Sequence, residues 1–370
     1  MIEQHLSILL VVIPLLAAPI TAILPRARIA WLLTLLVTWS CLLLAVWQLQ
    51  SVLDGNIISY ELGGWAPPWG IEYRIDTLNA FVAVIVTAIA AITLPYALRS
   101  VEQEIFPRHI PLFYTAFLLC LTGLLGITLT GDIFNLFVFL EISSLSSYAL
   151  ISMGRQRQAL TAAFQYLIMG TIGATFLLIG IGLIYSETGT LNMLDLGERL
   201  PAVFELRTVH TAFAFIMIGV ALKLALFPLH LWLPNAYTYA PTVITIFLAA
   251  TATKVAIYVM LRMVYTVFSI GFAEDTPFNE MFLLLGVIGV LIASLYAIYQ
   301  ANSKRLLAYS SVAQIGYMVL GIGFGSVLGL TATVVHIFNH ALIKATLFMA
   351  VGALIYQVGS SRLQDWHGLG

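Results

Sequence analysis

The stretch GDIFNLFVFLEISSLSSYALI, residues 131–151, is an apolar run long enough to cross a bilayer, with a single carboxylate, Glu141, in its interior. Asp132 stands at its start, and nine positions on, at about 1.5 Å of helical rise each, Glu141 lies ~13 Å into the helix. An ionisable group at such depth costs roughly 2.5–3.5 kcal/mol even on lenient insertion scales, so its presence points to a task. Tying helices together through an ion pair is the plainer alternative, and a proton-carrying or pKa-setting role is favoured over it. A carboxylate beside a buried amine favours the ammonium, whereas burial alone favours the neutral amine, so relative motion of the two would drive proton exchange.

The rest of the chain is built the same way. Of 370 residues, 61% are hydrophobic and 9% charged, where soluble domains carry about 25% charge. With roughly 20 apolar residues per crossing, the length accommodates about eleven spans and little else. Spans are expected near 5–25, 29–49, 77–97, 111–130, 132–153, 160–185, 209–234, 242–265, 280–300, 305–325 and 327–358. The first carries Glu3, no early basic residue and too long an apolar run for a cleaved signal, so it reads as a retained helix. The fold class expected is an all-α polytopic membrane protein forming one membrane domain over 1–370.

Charge excludes other classes. Sixteen basic and seventeen acidic residues nearly cancel, without the clustered positive face that nucleic-acid binding needs. Two cysteines, Cys41 and Cys120, both in apolar runs, support neither a disulfide framework nor a cysteine-ligated metal or Fe–S centre. No nucleotide, metal or flavin motif is visible, so no cofactor and no catalytic site of the chain's own are expected.

Alternate loops hold Arg26, Arg28, Arg99, Arg108, Arg155, Arg157, Lys304, Arg305 and Arg362. The opposite loops hold Arg74, Arg199 and Arg207 beside Asp54, Glu61, Asp195, Glu198, Glu274 and Asp275. By the positive-inside rule the N-terminus is outside and the residues after the eleventh span are cytoplasmic, in a plasma (inner) membrane. Two longer outer segments, ISYELGGWAPPWGIEYRID (58–76) and ETGTLNMLDLGERLPAVFELRTV (187–209), read as compact caps, the first with strand-like stretches. The terminal WHGLG, just past the last span, looks cut short.

Three lysines join Glu141 at mid-membrane: Lys223 in GVALKLALFPLHLW, Lys254 in TATKVAIYVML and Lys344 in HIFNHALIKATLF. Pro228 removes the amide that would bond the carbonyl of Leu224, so the seventh span must kink or break near Lys223. Freed carbonyls inside a bilayer persist only where protein or water satisfies them, and broken helices recur at transporter ion sites. His230 follows in the second half. His336, His340 and Lys344, spaced by four, form one polar stripe with Asn339 close by. Two histidines without a third ligand make metal a poor reading, and a wet proton relay suits imidazoles beside a lysine. Lys254 could bridge Lys223 to this stripe. Ser143, Ser144, Ser146 and Ser147 either line a hydrated path or mediate close packing. Arg262 reads as an outer-edge snorkelling residue.

The order of these pieces resembles the antiporter-like subunits of the complex I superfamily. It comprises a glutamate in the fifth span, a lysine before the proline of a broken seventh, a lysine in the eighth and the HIFNHALIKATLF stripe. GDIFNLFVFLEISSLSSYALI and LGGWAPPWGIEYRIDTLNAF look most like the D subunit of Mrp-type Na+/H+ antiporters and the related membrane-bound hydrogenase subunit. The resemblance implies a Glu141–Lys223 pair, Lys254 as the centre, and a polar axis running through inverted repeats. One repeat would cover 111–265 after an N-terminal part over 1–110, and a second would start at 280–370, short of the family's usual fourteen helices. It also implies proton translocation within a multisubunit Na+/proton antiporter, with other membrane subunits, protons, Na+ and lipid as partners. A proton-pumping subunit of a respiratory NADH-quinone oxidoreductase or membrane-bound hydrogenase is the alternative, and a truncated, transport-inactive assembly subunit is a third.

Overall fold

A computed structural model describes residues 2–368; the side chains of Glu3 and Glu274, and the last two residues of WHGLG, lie outside the described residues. A bilayer offers the backbone no hydrogen-bond partners, so each crossing must satisfy its own amides and carbonyls as helix. Among the described residues, eleven helices are long and apolar enough to cross. The chain runs α1 (Ile2–Ile23), α2 (Ala27–Val52), the hairpin β1 (Ile58–Glu61) and β2 (Glu72–Ile75), α3 (Thr77–Glu104), α4 (Ile110–Leu129), α5 (Ile133–Ser152) and α6 (Arg157–Thr188). It continues with α7 (Met193–Arg199), α8 (Arg207–Leu224), α9 (Trp232–Tyr239), α10 (Thr242–Arg262), α11 (Ser269–Glu274), α12 (Phe278–Ile298), α13 (Ser303–Gly323) and α14 (Val327–Val358). The expected spans reappear within a few residues, except that 209–234 is two helices, α8 and α9.

Helix ends follow capping chemistry. Asp76 closes a capping box with Asn79 at α3, Asp132 accepts from the Asn135 amide at 2.7 Å, and Asn192, Asn302 and Ser326 cap α7, α13 and α14. The long α6 and α14 stop at Gly189 and Gly359, whose positive φ is the conformation glycine adopts without steric cost.

The two loop sets separated by charge sit at opposite ends of the bundle. At one end β1 and β2 pair antiparallel, Tyr60 opposite Tyr73. Bridges Tyr73–Thr130 and Asp132–Asn192 then stitch this hairpin to the starts of α5 and α7. At the other end Asn302 bridges Arg362, and Ser303 donates its amide to the Ser361 carbonyl at 2.9 Å. The segment 58–76 forms this hairpin, and the segment 187–209 holds the short helix α7.

The core centres on α10, which is almost wholly buried, whereas α12 and α14 are largely exposed at the rim. Helices approach closely where glycine faces glycine. A Cβ on Gly316 would stand 2.9 Å from both the Gly286 carbonyl oxygen and a Val290 methyl, so α12 and α13 meet backbone to backbone. Gly316→Leu is therefore expected to destabilise the folded protein by about 1–3 kcal/mol through overpacking. Thermal unfolding in detergent tests this, and an unchanged midpoint would contradict the close contact.

Candidate functional site: a chain of buried charges at mid-membrane

α8 ends within the bundle. Ala225 takes a left-handed conformation (φ 59°, ψ 42°), and the chain then runs through Pro228 and His230 as irregular backbone before α9 begins. The break thus falls three residues ahead of Pro228, at a residue with no proline signature. Its freed carbonyls are met by protein. Leu226 donates its amide to the Ala221 carbonyl at 3.0 Å, and the Trp232 indole donates to the Leu222 carbonyl at 3.0 Å. Trp232 is held by stacking on Tyr166 with centroids 3.9 Å apart.

Lys223 lies one residue before that end, where the negative pole of the helix dipole favours a cation. Its Nζ donates to Ser144 Oγ at 2.8 Å and to Glu141 Oε1 at 3.3 Å. The lysine side chain is 6% exposed and that of Glu141 26%, so the acid is the more exposed member of the pair. Ser143, Ser144 and Ser147 line a cavity of about 40 Å³ together with Lys223 and Tyr166, room for about two or three waters. Ser143 and Ser147 also return their hydroxyl protons to the carbonyls of Leu140 and Ser143, which serves packing within α5. Asp132, just outside this span, is buried as well. Burial pushes its carboxyl above the ordinary carboxylate range, opposed by the amides of Asn135 and Phe134.

Lys254 is fully buried in α10, where Nζ donates to the Ala249 carbonyl and to Thr253 Oγ1 at 3.4 Å. Lys344 is 1% exposed and donates to the Leu307 carbonyl at 2.9 Å. Neither belongs to any of the three ion pairs among the described residues. Their helices, α10 and α14, pack against each other. His336 and His340 stack at 5.9 Å and 5°, and both ring nitrogens of His340 are buried without a partner among the described residues. His336, His340 and Lys344 follow one another along α14, which packs against α10, the helix that carries Lys254. Asn339 instead lies on the exposed flank of α14, away from buried His340. His230 is buried in the break against Phe227 and Tyr309, with Nδ1 lacking a partner.

Two residues read as edge charges are part of the interior. The Arg262 side chain is 14% exposed, pairs with Asp76 at 2.5 Å, and donates to the Tyr258 hydroxyl at 3.0 Å. It is a tie between α3 and α10 and not a snorkelling residue. Lys304, read as a loop charge, is 5% exposed and donates to the Ala240 carbonyl at the end of α9. No local signal marks either, because each depends on a partner far away in sequence. Arg262→Ala is expected to cost about 1–3 kcal/mol of stability by leaving the Asp76 carboxylate short of a donor. Chemical denaturation of the purified protein measures this, and wild-type stability would mean that the pair is dispensable.

Comparison with known proteins places this geometry. The family described as "NADH:quinone oxidoreductase/Mrp antiporter, TM" matches residues 130–369. The chain is 41% identical over 368 residues to NADH-quinone oxidoreductase subunit N of Desulforudis audaxviator, covering 99% of this chain and 73% of that protein. It is 31% identical over 329 residues to the D subunit of the Na(+)/H(+) antiporter of Alkalihalophilus pseudofirmus, covering 89% and 65%. A chain in the structure of the membrane-bound sulfane sulfur reductase, an archaeal respiratory membrane complex, superposes with TM-score 0.92 at 33% identity, covering 99% of this chain and 74% of that one. A chain of the Mrp complex from Dietzia sp. DQ12-45-1b does so with TM-score 0.88 at 30% identity, covering 98% and 66%. With the family matched over most of its length, and with relatives of the same multi-span architecture, this chain is a member of the NADH:quinone oxidoreductase/Mrp antiporter membrane family.

Proposed function

We propose that the chain is a proton-translocating subunit of a multisubunit monovalent cation/proton antiporter, using Glu141, Lys223, Lys254, His336, His340 and Lys344 as its relay. The observation that carries this reading is the Glu141–Lys223–Ser144 cluster at a helix break, followed by two fully buried lysines without carboxylate partners among the described residues. Buried ionisable groups in a membrane interior are costly and otherwise unexplained. In this reading protons enter by Glu141 and the serine-lined cavity, pass Lys223 and Lys254, and continue along the α14 stripe. The segment 111–265 and the segment from 280 onward act as paired inverted repeats. Other membrane subunits, protons and Na+ are the partners, in a plasma membrane with the N-terminus outside.

A second reading has a specific observation behind it. The 41% identity to an NADH-quinone oxidoreductase subunit exceeds the 31% identity to an antiporter subunit, which favours a redox-driven complex. Vesicles holding the assembled complex separate the two. Proton movement driven by added Na+ supports the antiporter, and movement requiring an electron donor such as NADH, ferredoxin or hydrogen supports the redox machine. Inactivity despite intact assembly would sink both and leave an assembly role.

A further inference from the structure

Between α6, α9 and α13 lies a groove of about 480 Å³ whose lining is polar toward one end of the bundle and apolar deeper in. The polar part is Arg305, three residues past the α13 cap, with Asn235 and Gln165, whose side chains bond each other at 2.7 Å. The apolar part includes Phe164, Ile168 and Leu231, exposed by 61%, 45% and 69%. Arg305 takes part in none of the three ion pairs among the described residues, and its Nε is buried with no hydrogen-bond partner. Arg305 lines the groove, and a guanidinium with no ion pair among the described residues favours an anion there. Arg305 lies at the end of the bundle where the basic loop residues gather, in the first turn of α13, near the positive pole of that helix's dipole. A planar guanidinium forks onto phosphate in two-donor geometry.

We propose that this groove is a binding site for a phospholipid, its phosphodiester on Arg305 and an acyl chain along Phe164, Ile168 and Leu231. Charge complementarity chooses the occupant. A neighbouring apolar helix would cover the lower groove and leave the guanidinium unanswered, whereas a phospholipid supplies an anion and a hydrocarbon chain at the matching depths. Because Trp232, Pro234 and Asn235 also line the groove, the lipid braces α9, the second half of the broken span. The proposal needs the eleven-span fold and not the ion-transport reading, so either can fail alone.

The test uses the complete complex carrying this chain, reconstituted in nanodiscs of phosphatidylcholine and phosphatidylglycerol, extracted in mild detergent and weighed by native mass spectrometry. Wild type should retain phosphatidylglycerol. Arg305→Gln should weaken retention about tenfold, as loss of a charge-assisted bond implies, and Arg362→Gln, an exposed charge at the same end, should not. Leu231→Trp fills the groove, keeps the arginine and should also expel the lipid, which decides the matter if Arg305→Gln fails to assemble. Unchanged retention in Leu231→Trp would overturn the proposal. So would a photo-crosslink from position 231 that captures a neighbouring subunit in place of lipid.

Discussion

Glu141→Ala and Lys223→Ala are each expected to abolish proton movement in the assembled complex, by about 100-fold or more, a typical loss when a positioned proton carrier is removed. The reason lies in the geometry. Lys223 holds two acceptors, Ser144 at 2.8 Å and Glu141 at 3.3 Å, and the longer contact is the one to the charge. When the carboxylate is near, the ammonium is favoured; when it withdraws, burial favours the free amine, and a proton leaves toward the interior. Removing either partner removes the alternation. Because Glu141 is partly exposed and Lys223 can shed its charge, neither variant should strand a fixed ion, so assembly should survive. Proton flux in vesicles measures the effect, with complex recovery as the control. Two variants that assemble and transport at wild-type rates would refute the switch. Ser144→Ala, which leaves the ion pair and removes one acceptor, should impair flux less than either.

The second large effect is at Lys254, where the measurements should move in opposite directions. Lys254→Met keeps the side-chain volume and removes a cationic group that is fully buried and has no ion pair among the described residues. Replacing a buried charge by a well-packed apolar group is often neutral or stabilising by about 1–4 kcal/mol. Thermal stability should therefore hold or rise while proton flux is lost. Lys254→Ala would lose flux as well, but with a cavity penalty that obscures the comparison. A variant that transports normally would show that the path bypasses α10. One that unfolds would show the ammonium to be structural. Conversely Arg262→Ala, at the tie to Asp76, should lower stability more than it lowers flux. Equal transport loss at Lys254 and Arg262 would erase the distinction between relay and strut.

Much of this was legible in the chain itself, for a physical reason. A bilayer demands about 20 apolar residues per crossing and penalises charge, so spans such as 327–358 and the four interior charges stand out without any tertiary knowledge. The period of an α-helix likewise placed His336, His340 and Lys344 on one face before any partner was known. The pairing of Glu141 with Lys223 could be inferred in kind, since a deep acid needs a deep base, yet the contact joins residues 82 positions apart and Ser144 makes the shorter bond.

Other features were decided only by packing. Pro228 announced a break, but where it falls depends on which carbonyls the surrounding helices can satisfy. Trp232 and Leu226 serve Leu222 and Ala221, so the turn sits at Ala225. Arg262 and Lys304 look like edge charges in a hydropathy plot because their answering groups, Asp76 and the Ala240 carbonyl, lie 186 and 64 residues away. Asn339 lies close to the histidine stripe in sequence, yet the rotation of α14 against its neighbours leaves it exposed while His340 is buried. Hydropathy and periodicity are one-dimensional and determine what must lie in the membrane. Which polar group answers which is set by helix rotation and long-range contact, and these exist only in the folded bundle.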